Sequence, residues 1–461
     1  MSSTKSGENK FSKILTIALV ASIFLSVLSY QMGIQLEEEI YKDLKNTFFK
    51  PLKWWINPLI AFSMFSVFFR TPEGKALNFI VLLCDIILLY FISTLIANLF
   101  AYNMYDLFPF AEIIAPALQG VDATEFNKTS PGGIPTIILI MIFAFCTSVI
   151  CRYVIHHYFI AVVKQILHVL NIIIGVKFFN KIKFIATFKK EYKDASKSNK
   201  DSSYSITFIN FFDKIIFGVL MIILLLSPLA VYSSFLQILN DRGFNFFLDL
   251  GKFILCYGSI LLTYKLVVLP IVRTVFTLGV TNKESYLSFL RKGTPVLITA
   301  AATSSSAATL GVNIKAASTL NVPKDMKGKG HNKALMPVGA TLNMDGTSIS
   351  LVVYFLLGAQ LSGITDISFW SVVLTAVGLS FGTAAVPSAS LIMLTSMYNS
   401  FAVPEAVTSK LLSIILAVDP IHDRFRTMVN TWGDLNMIYI IQSKRGVITF
   451  FMKKLCPKKQ K

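Results

Sequence analysis

The 461 residues are 54% hydrophobic and only 15% charged, with 39 Phe and a mean hydropathy of +0.64. Soluble domains average about 25% charged residues, so this composition belongs to a polytopic membrane protein and excludes a disordered chain, a disulfide scaffold and a coiled coil. Five cysteines (Cys84, Cys146, Cys151, Cys256, Cys456) show no paired spacing and read as small buried hydrophobes.

The net charge of +18 is concentrated. Residues 177–200 hold eight Lys against Glu191 and Asp194, 323–333 hold four Lys against Asp325, and 444–461 hold seven Lys or Arg. Basic clusters beside apolar spans mark cytoplasmic loops. Nucleic-acid binding, the other reading of basic runs, lacks a compact soluble domain to carry it.

A membrane helix needs about 20 predominantly apolar residues. In chain order, residues 1–11 are polar and predicted disordered, and spans are predicted at 12–34, 52–69, 77–104, 134–175, 206–236 and 246–278. The first has no small-residue cleavage site after it and reads as a retained helix. The run 134–175 is too long for one span and is interrupted by Arg152, His156, His157 and Lys164, which predicts a broken or bent element.

The last 180 residues differ. Segment 294–322 contains Thr303-Ser304-Ser305-Ser306-Ala307-Ala308-Thr309-Leu310, and segment 367–402 contains Gly382-Thr383-Ala384-Ala385-Val386-Pro387-Ser388-Ala389-Ser390. Both suit two short helices meeting at a tip, a re-entrant hairpin. Non-helical backbone at membrane depth survives only where protein or a cavity surrounds it, and paired interrupted segments point to a transporter's binding site.

The final apolar segment carries Asp419, Asp423, Arg426, Asn430 and Asp434. At about 100° per residue these five share an arc of about 80°, with Arg424 off it. Charges at membrane depth cost at least ~2.5 kcal/mol each, so the stripe is expected to face a polar interior. A second polar element, Thr341-Leu342-Asn343-Met344-Asp345-Gly346-Thr347, lies between apolar flanks, with Gly339 just before it. Its side-chain oxygens, with carbonyls freed by local unwinding, suit a hard cation such as Na⁺. Tyr90, Ser93 and Thr94 in the third span are a weaker third contributor.

At these residues the chain resembles the dicarboxylate/amino acid:cation symporter family, which includes archaeal aspartate and animal glutamate transporters. The matching pieces are Ser304–Leu310, Asn343-Met344-Asp345-Gly346-Thr347, Gly382–Pro387 and Asp423–Asp434, in the family's order and spacing. They cover residues 285–442; the N-terminal half matches through hydropathy. The resemblance implies an all-α elevator-type transporter of eight transmembrane helices plus two re-entrant hairpins. It implies scaffold helices at 12–70 and 106–236 with a basic cytoplasmic loop at 176–203. A transport domain would be built from 76–105 and 245–442, followed by a basic cytoplasmic tail at 443–461. A homotrimer in a bacterial inner membrane, with both termini cytoplasmic, is expected.

The resemblance also assigns roles. Arg426 would bind the substrate's side-chain carboxylate, Asp423 its amino group and Asn430 its main-chain carboxylate, with Thr347, Thr427, Ser305, Ser306 and the backbone of Val386 completing the substrate site. Arg424 stands where some members carry a second arginine. Co-transported cations would use Gly339, Asn343, Asn430 and Asp434 at one site, and Thr341, Met344, Ser380, Phe381 and Thr383 at another. Tyr90, Ser93, Thr94, Asn343 and Asp345 would form a third. The chain departs from the family at Gly311, where Pro is usual, at Pro387–Ser390, where glycines are usual, and at Leu351. There animal members carry a proton-carrying glutamate, so animal-type proton and potassium coupling is not expected.

The expected function is symport of an acidic amino acid, glutamate or aspartate, with Na⁺ and without enzymatic activity. The alternatives are a proton-coupled C4-dicarboxylate or glutamate symporter, and an anion channel. An intramembrane hydrolase is disfavoured: Ser304–Ser306 have no base nearby in sequence, and neither Gly-x-Gly-Asp nor Gly-x-Ser-x-Gly occurs.

Overall fold

The computed structural model describes residues 2–37, 76–118, 156–174, 183–198, 201–280, 283–322, 331–381 and 388–444, with isolated positions in 39–62 and Thr147, Cys151 and Thr383. The described residues are almost entirely helical. The helices are α1 (Ser2–Gln31), α2 (Ala76–Tyr105), α3 (Phe110–Ile114), α4 (His156–Ile174), α5 (Lys183–Ser198), α6 (Asp201–Leu224), α7 (Ser227–Arg242) and α8 (Asn245–Thr263). A π-helical turn (Tyr264–Val268) joins α8 to α9 (Leu269–Phe276). Then come α10 (Tyr286–Thr303), α11 (Ser306–Thr319), α12 (His331–Leu342), α13 (Asp345–Leu361), α14 (Phe369–Phe381), α15 (Ala389–Ser400) and α16 (Glu405–Lys444). Among the described residues, Asp85–Tyr105, Ile222–Arg242, Asn245–Phe276 and Leu335–Leu361 are long and apolar enough to cross a membrane.

Three expectations change. Helix α1 begins at Ser2, inside the stretch 1–11 expected to be disordered; extending an existing helix fixes one residue at a time, without a new nucleus. The span at 206–236 is two helices, broken at Leu225–Leu226 before Pro228, where proline lacks the amide that would continue the ladder. The basic loop 176–203 contains helix α5. Phe188 stacks on Tyr192 there and packs with Val163, Leu167 and Phe211 of α4 and α6, while Lys190, Lys193 and Lys197 stay exposed. Most of 52–69 and of 134–155 lies outside the described residues.

The centre of the fold is α13 and α16. From Asp345 through Phe355, every residue of α13 is buried, so the helix is enclosed on all sides, with Asp345, Thr347, Ser348 and Ser350 as its buried polar groups. It packs against α2, α14, α15 and α16, while α16 also receives α8, α10, α11 and α12. Helices α10 and α11 lie against each other across a two-residue reversal at Ser304–Ser305. Ser304 adopts φ +48°, and the Ser305 hydroxyl accepts the Ala308 amide at 3.2 Å as the N-cap of α11. Helices α14 and α15 also pack together, and Ser388, immediately before α15, has φ +60°. A left-handed non-glycine residue costs about 1–2 kcal/mol, and here one occurs at the inner end of each interrupted segment.

Candidate functional site

The polar stripe of α16 is buried. Asp419, Asp423, Arg426, Asn430 and Asp434 are all buried, and an unpaired polar group at that depth costs several kcal/mol. They divide into two groups along the helix.

The first surrounds Arg426. Its Nη2 donates to Asp419 Oδ1 and, at 2.9 Å, to Asp423 Oδ1, and its Nε donates to Asp423 Oδ1 at 3.3 Å. Its Nη1 has no partner among the described residues. Ser388 joins this cluster from the second interrupted segment: its hydroxyl donates to Asp419 Oδ2 at 2.5 Å and its amide to Asp423 Oδ2 at 3.3 Å. One guanidinium thus sits between two carboxylates, with one fork nitrogen unpartnered among the described residues.

The second group gathers at the break between α12 and α13. Asn343–Met344 interrupts the buried apolar stretch, between Gly339 and Gly346 as expected. Asp345 Oδ2 accepts Ser93 Oγ at 2.7 Å, and its Oδ1 accepts Thr94 Oγ1 at 3.3 Å. The Tyr264 hydroxyl also donates to Oδ2, at 3.2 Å. Asn343 Nδ2 donates to Asp434 Oδ1 at 3.2 Å. Asn430 Oδ1 accepts the amides of Gly346 at 2.7 Å and Thr347 at 3.3 Å, while its Nδ2 donates to Met344 Sδ at 3.2 Å and Thr347 Oγ1 at 3.3 Å. A Cβ on Gly339 would collide with the Tyr90 hydroxyl and come within 2.7 Å of Asp434 Oδ1. Asp345 and Asp434 therefore lie fully buried among neutral donors, with Tyr90 OH and Asn343 Oδ1 unpartnered among the described residues. Two buried carboxylates, hydroxyl and amide oxygens make a hard donor set that a small cation satisfies.

Other expected site residues are placed differently. The Arg424 guanidinium donates to the Pro420 carbonyl one turn back along α16, so the structure does not tie it to the Arg426 cluster. The hydroxyls of Thr341, Ser380 and Thr383 bond back to Val338 at 2.9 Å, Val377 at 2.8 Å and Leu379 at 3.0 Å, each on its own segment. Phe381 ends α14 half-buried. Ser306 opens α11, buried, and Thr427 is buried on α16. Val386 lies outside the described residues.

Sequence reasoning placed Asp419 on the stripe without giving it a role, and did not single out Ser388 as a bonding partner. It missed Tyr264 altogether. Tyr264 sits in a largely apolar span and opens a π-helical turn, a feature that often marks functional positions.

The site thus joins a buried arginine–carboxylate cluster to a broken helix whose carboxylates, hydroxyls and amides are buried together. The sequence model of the sodium:dicarboxylate symporter family matches residues 11–444, and the chain belongs to that family. It is a multi-pass membrane protein. Among relatives, it is 32% identical over 234 residues to excitatory amino acid transporter 3 of Mus musculus, covering 50% of this chain and 42% of the relative. It is 30% identical over 249 residues to the excitatory amino acid transporter of Caenorhabditis elegans, covering 52% and 46%. It is 33% identical over 199 residues to neutral amino acid transporter B(0) of Mus musculus, covering 43% and 34%. The matches span less than half the length of these relatives.

Proposed function

We propose that the protein is a secondary symporter that imports an acidic amino acid, glutamate or aspartate, together with Na⁺. The observation that carries this reading is Arg426, buried between Asp419 and Asp423 with Nη1 unpartnered among the described residues. A guanidinium fork with a free nitrogen suits a carboxylate, and Asp423 beside it suits an ammonium group. Cation coupling is supported by the Asp345–Asp434 pocket one to two helical turns further along α16.

In this reading Arg426, Asp423, Thr347, Thr427 and Asn430, with Ser305, Ser306 and Val386 at the two tips, hold the substrate. Na⁺ ions bind among Asn343, Asp345, Asp434, Ser93, Thr94, Tyr90 and Gly339, and among Thr341, Met344, Ser380, Phe381 and Thr383. Residues 76–105 and 245–442 move as a transport domain against scaffold helices at 12–70 and 106–236. The full architecture is eight spans with two re-entrant hairpins, assembled as a homotrimer in a bacterial inner membrane with both termini cytoplasmic. Radiolabelled glutamate and aspartate uptake into proteoliposomes, with an imposed Na⁺ gradient and a panel of C4-dicarboxylate and neutral competitors, tests this. Accumulation against a gradient supports the symporter; passive equilibration alone supports a channel.

A further inference from the structure

The Tyr264 hydroxyl has one proton and two acceptors. It lies 3.2 Å from Asp345 Oδ2 and 3.2 Å from the Ser93 carbonyl, and it can donate fully to only one of them. The tyrosine is fully buried, and its ring packs on Phe100 of α2 with centroids 5.6 Å apart. Its backbone is fixed as well. The Leu269 amide bonds the Tyr264 carbonyl five residues back, and Pro270, the next residue, has no amide to restore the four-residue ladder. The π-helical turn therefore holds the ring where its hydroxyl spans α2 and α13.

The two acceptors differ. The Ser93 carbonyl lies inside α2, where the amide four residues on already serves it, so it does not need the phenol. Asp345 does. Besides Tyr264, its partners among the described residues are the neutral hydroxyls of Ser93 and Thr94. Gly433 of α16 packs so close that a Cβ there would lie 3.0 Å from Oδ2. A hydrogen bond to a carboxylate is about twice as strong as one to a neutral carbonyl, so the phenol donates to Asp345 while nothing else neutralises it. A cation on Asp345 reverses that preference, because it draws on the same carboxylate and repels the phenol proton. The hydroxyl then turns to the Ser93 carbonyl and is never left unpaired. It is partnered in both states and bonded more strongly in the empty one.

Resting on the reading of Asp345 as a Na⁺ ligand, we propose that Tyr264 is a positioning residue of the cation site: it holds the empty Asp345 carboxylate, passes its hydrogen bond to Ser93 as Na⁺ arrives, and takes it back as Na⁺ leaves. Because it stabilises the empty site more than the filled one, it weakens Na⁺ binding and eases release. A phenol oxygen that ligated Na⁺ would have the opposite effect, and a ring that only filled space would have none.

The test is thermal unfolding of the full-length protein in detergent without substrate, titrated with Na⁺ against choline at constant ionic strength and pH. Tyr264→Phe should unfold earlier than the parent in choline, and the gap should close at saturating Na⁺. Its half-stabilising Na⁺ concentration should fall about five- to tenfold, the difference between a hydrogen bond to a charged group and one to a neutral group. Incorporating meta-fluorotyrosine at position 264, a stronger donor of nearly the same shape, should raise that concentration instead, and this measurement stands on its own where Tyr264→Phe fails to fold. With Asp345→Asn already present, Tyr264→Phe should leave the Na⁺ dependence unchanged. A higher or unchanged half-stabilising concentration in Tyr264→Phe overturns the proposal, as does a lower or unchanged one with meta-fluorotyrosine. So does a shift that persists beside Asp345→Asn, or a loss of stability that is the same with and without Na⁺. A parent that Na⁺ does not stabilise at all overturns the cation reading first, and this proposal with it.

Discussion

Asn430 caps the helix that Asp345 opens. Its Oδ1 accepts the amides of Gly346 and Thr347, at 2.7 and 3.3 Å, donors that the first turn of α13 would otherwise leave orphaned. Met344, the residue at the N-cap position, makes no side-chain cap bond, so the cap comes from a helix 84 residues away in sequence. Gly346 allows this closeness: a Cβ there would lie 2.5 Å from the Arg426 carbonyl. A residue expected from the family resemblance to bind substrate and cation thus also locks the broken helix against α16.

Asn430→Ala should therefore destabilise the protein as well as impair transport. Two orphaned amides and a lost contact to Thr347 predict about 1–3 kcal/mol, read as earlier thermal unfolding in detergent. Asn430→Asp keeps the accepting oxygen and should unfold closer to the unaltered protein. Equal stability of Asn430→Ala and the parent would show that the cap contributes nothing.

Arg426→Cys should abolish glutamate and aspartate uptake and turn selectivity towards neutral amino acids. Removing one member of a buried, hydrogen-bonded charge pair costs about 2–5 kcal/mol, corresponding to roughly 30-fold to several thousandfold in affinity. Thermal unfolding measured alongside separates lost binding from lost folding. Undiminished acidic uptake would remove Arg426 from the substrate site.

The proposed cation site makes a similar demand on Asp345 and Asp434. Asp345→Asn and Asp434→Asn should each raise the Na⁺ concentration needed for half-maximal uptake by about tenfold or more, equivalent to at least 1.4 kcal/mol. Replacing Na⁺ by choline at constant pH should stop uptake by the parent. Full uptake in choline, driven by a pH gradient alone, would contradict Na⁺ coupling.

The stripe on α16 was legible because a helix repeats at a fixed angle, so spacing alone puts Asp419, Asp423, Arg426, Asn430 and Asp434 on one face. The break at Asn343–Met344 was legible from glycine and polar residues inside an apolar run. What no spacing could supply was which stripe residue meets which partner. Ser93 and Asp345 are 252 residues apart, and Ser388 reaches Asp419 and Asp423 only once the tip before α15 folds onto α16. Tyr264 was invisible for a related reason: one tyrosine in a largely apolar span gives no signal, and only packing shows that its hydroxyl faces Asp345.

Ser388 ties that tip to the Arg426 cluster, and its place there predicts gating. A Cys at position 388 in a Cys-free background should react with an impermeant thiol reagent applied outside, and substrate with Na⁺ should protect it. Labelling from the cytoplasmic side alone, under every condition, would reverse both the sidedness and the gate.

Glu284 does outside the membrane spans what Asn430 does within. Its Oε2 accepts Lys292 Nζ of α10 at 2.8 Å and the Asn321 amide just beyond α11 at 2.7 Å, while its own amide donates to Tyr439 OH of α16 at 2.7 Å. One residue thus fastens the outer ends of α10 and α11 together and to α16. Burial works against its charge, but the bonds from Lys292, Ser288 and Asn321 outweigh it, so its carboxyl titrates below the ordinary glutamate value. A carboxyl depressed by folding adds stability that is present in full above its unfolded value and is lost as pH falls through the folded one. Thermal unfolding of the parent should therefore shift to lower temperature as pH drops below about 4.5, the ordinary glutamate value, and Glu284→Gln should show a smaller shift over that range from a lower starting point. Parallel pH profiles for parent and variant would mean that the Glu284 charge does not fasten the two helix ends.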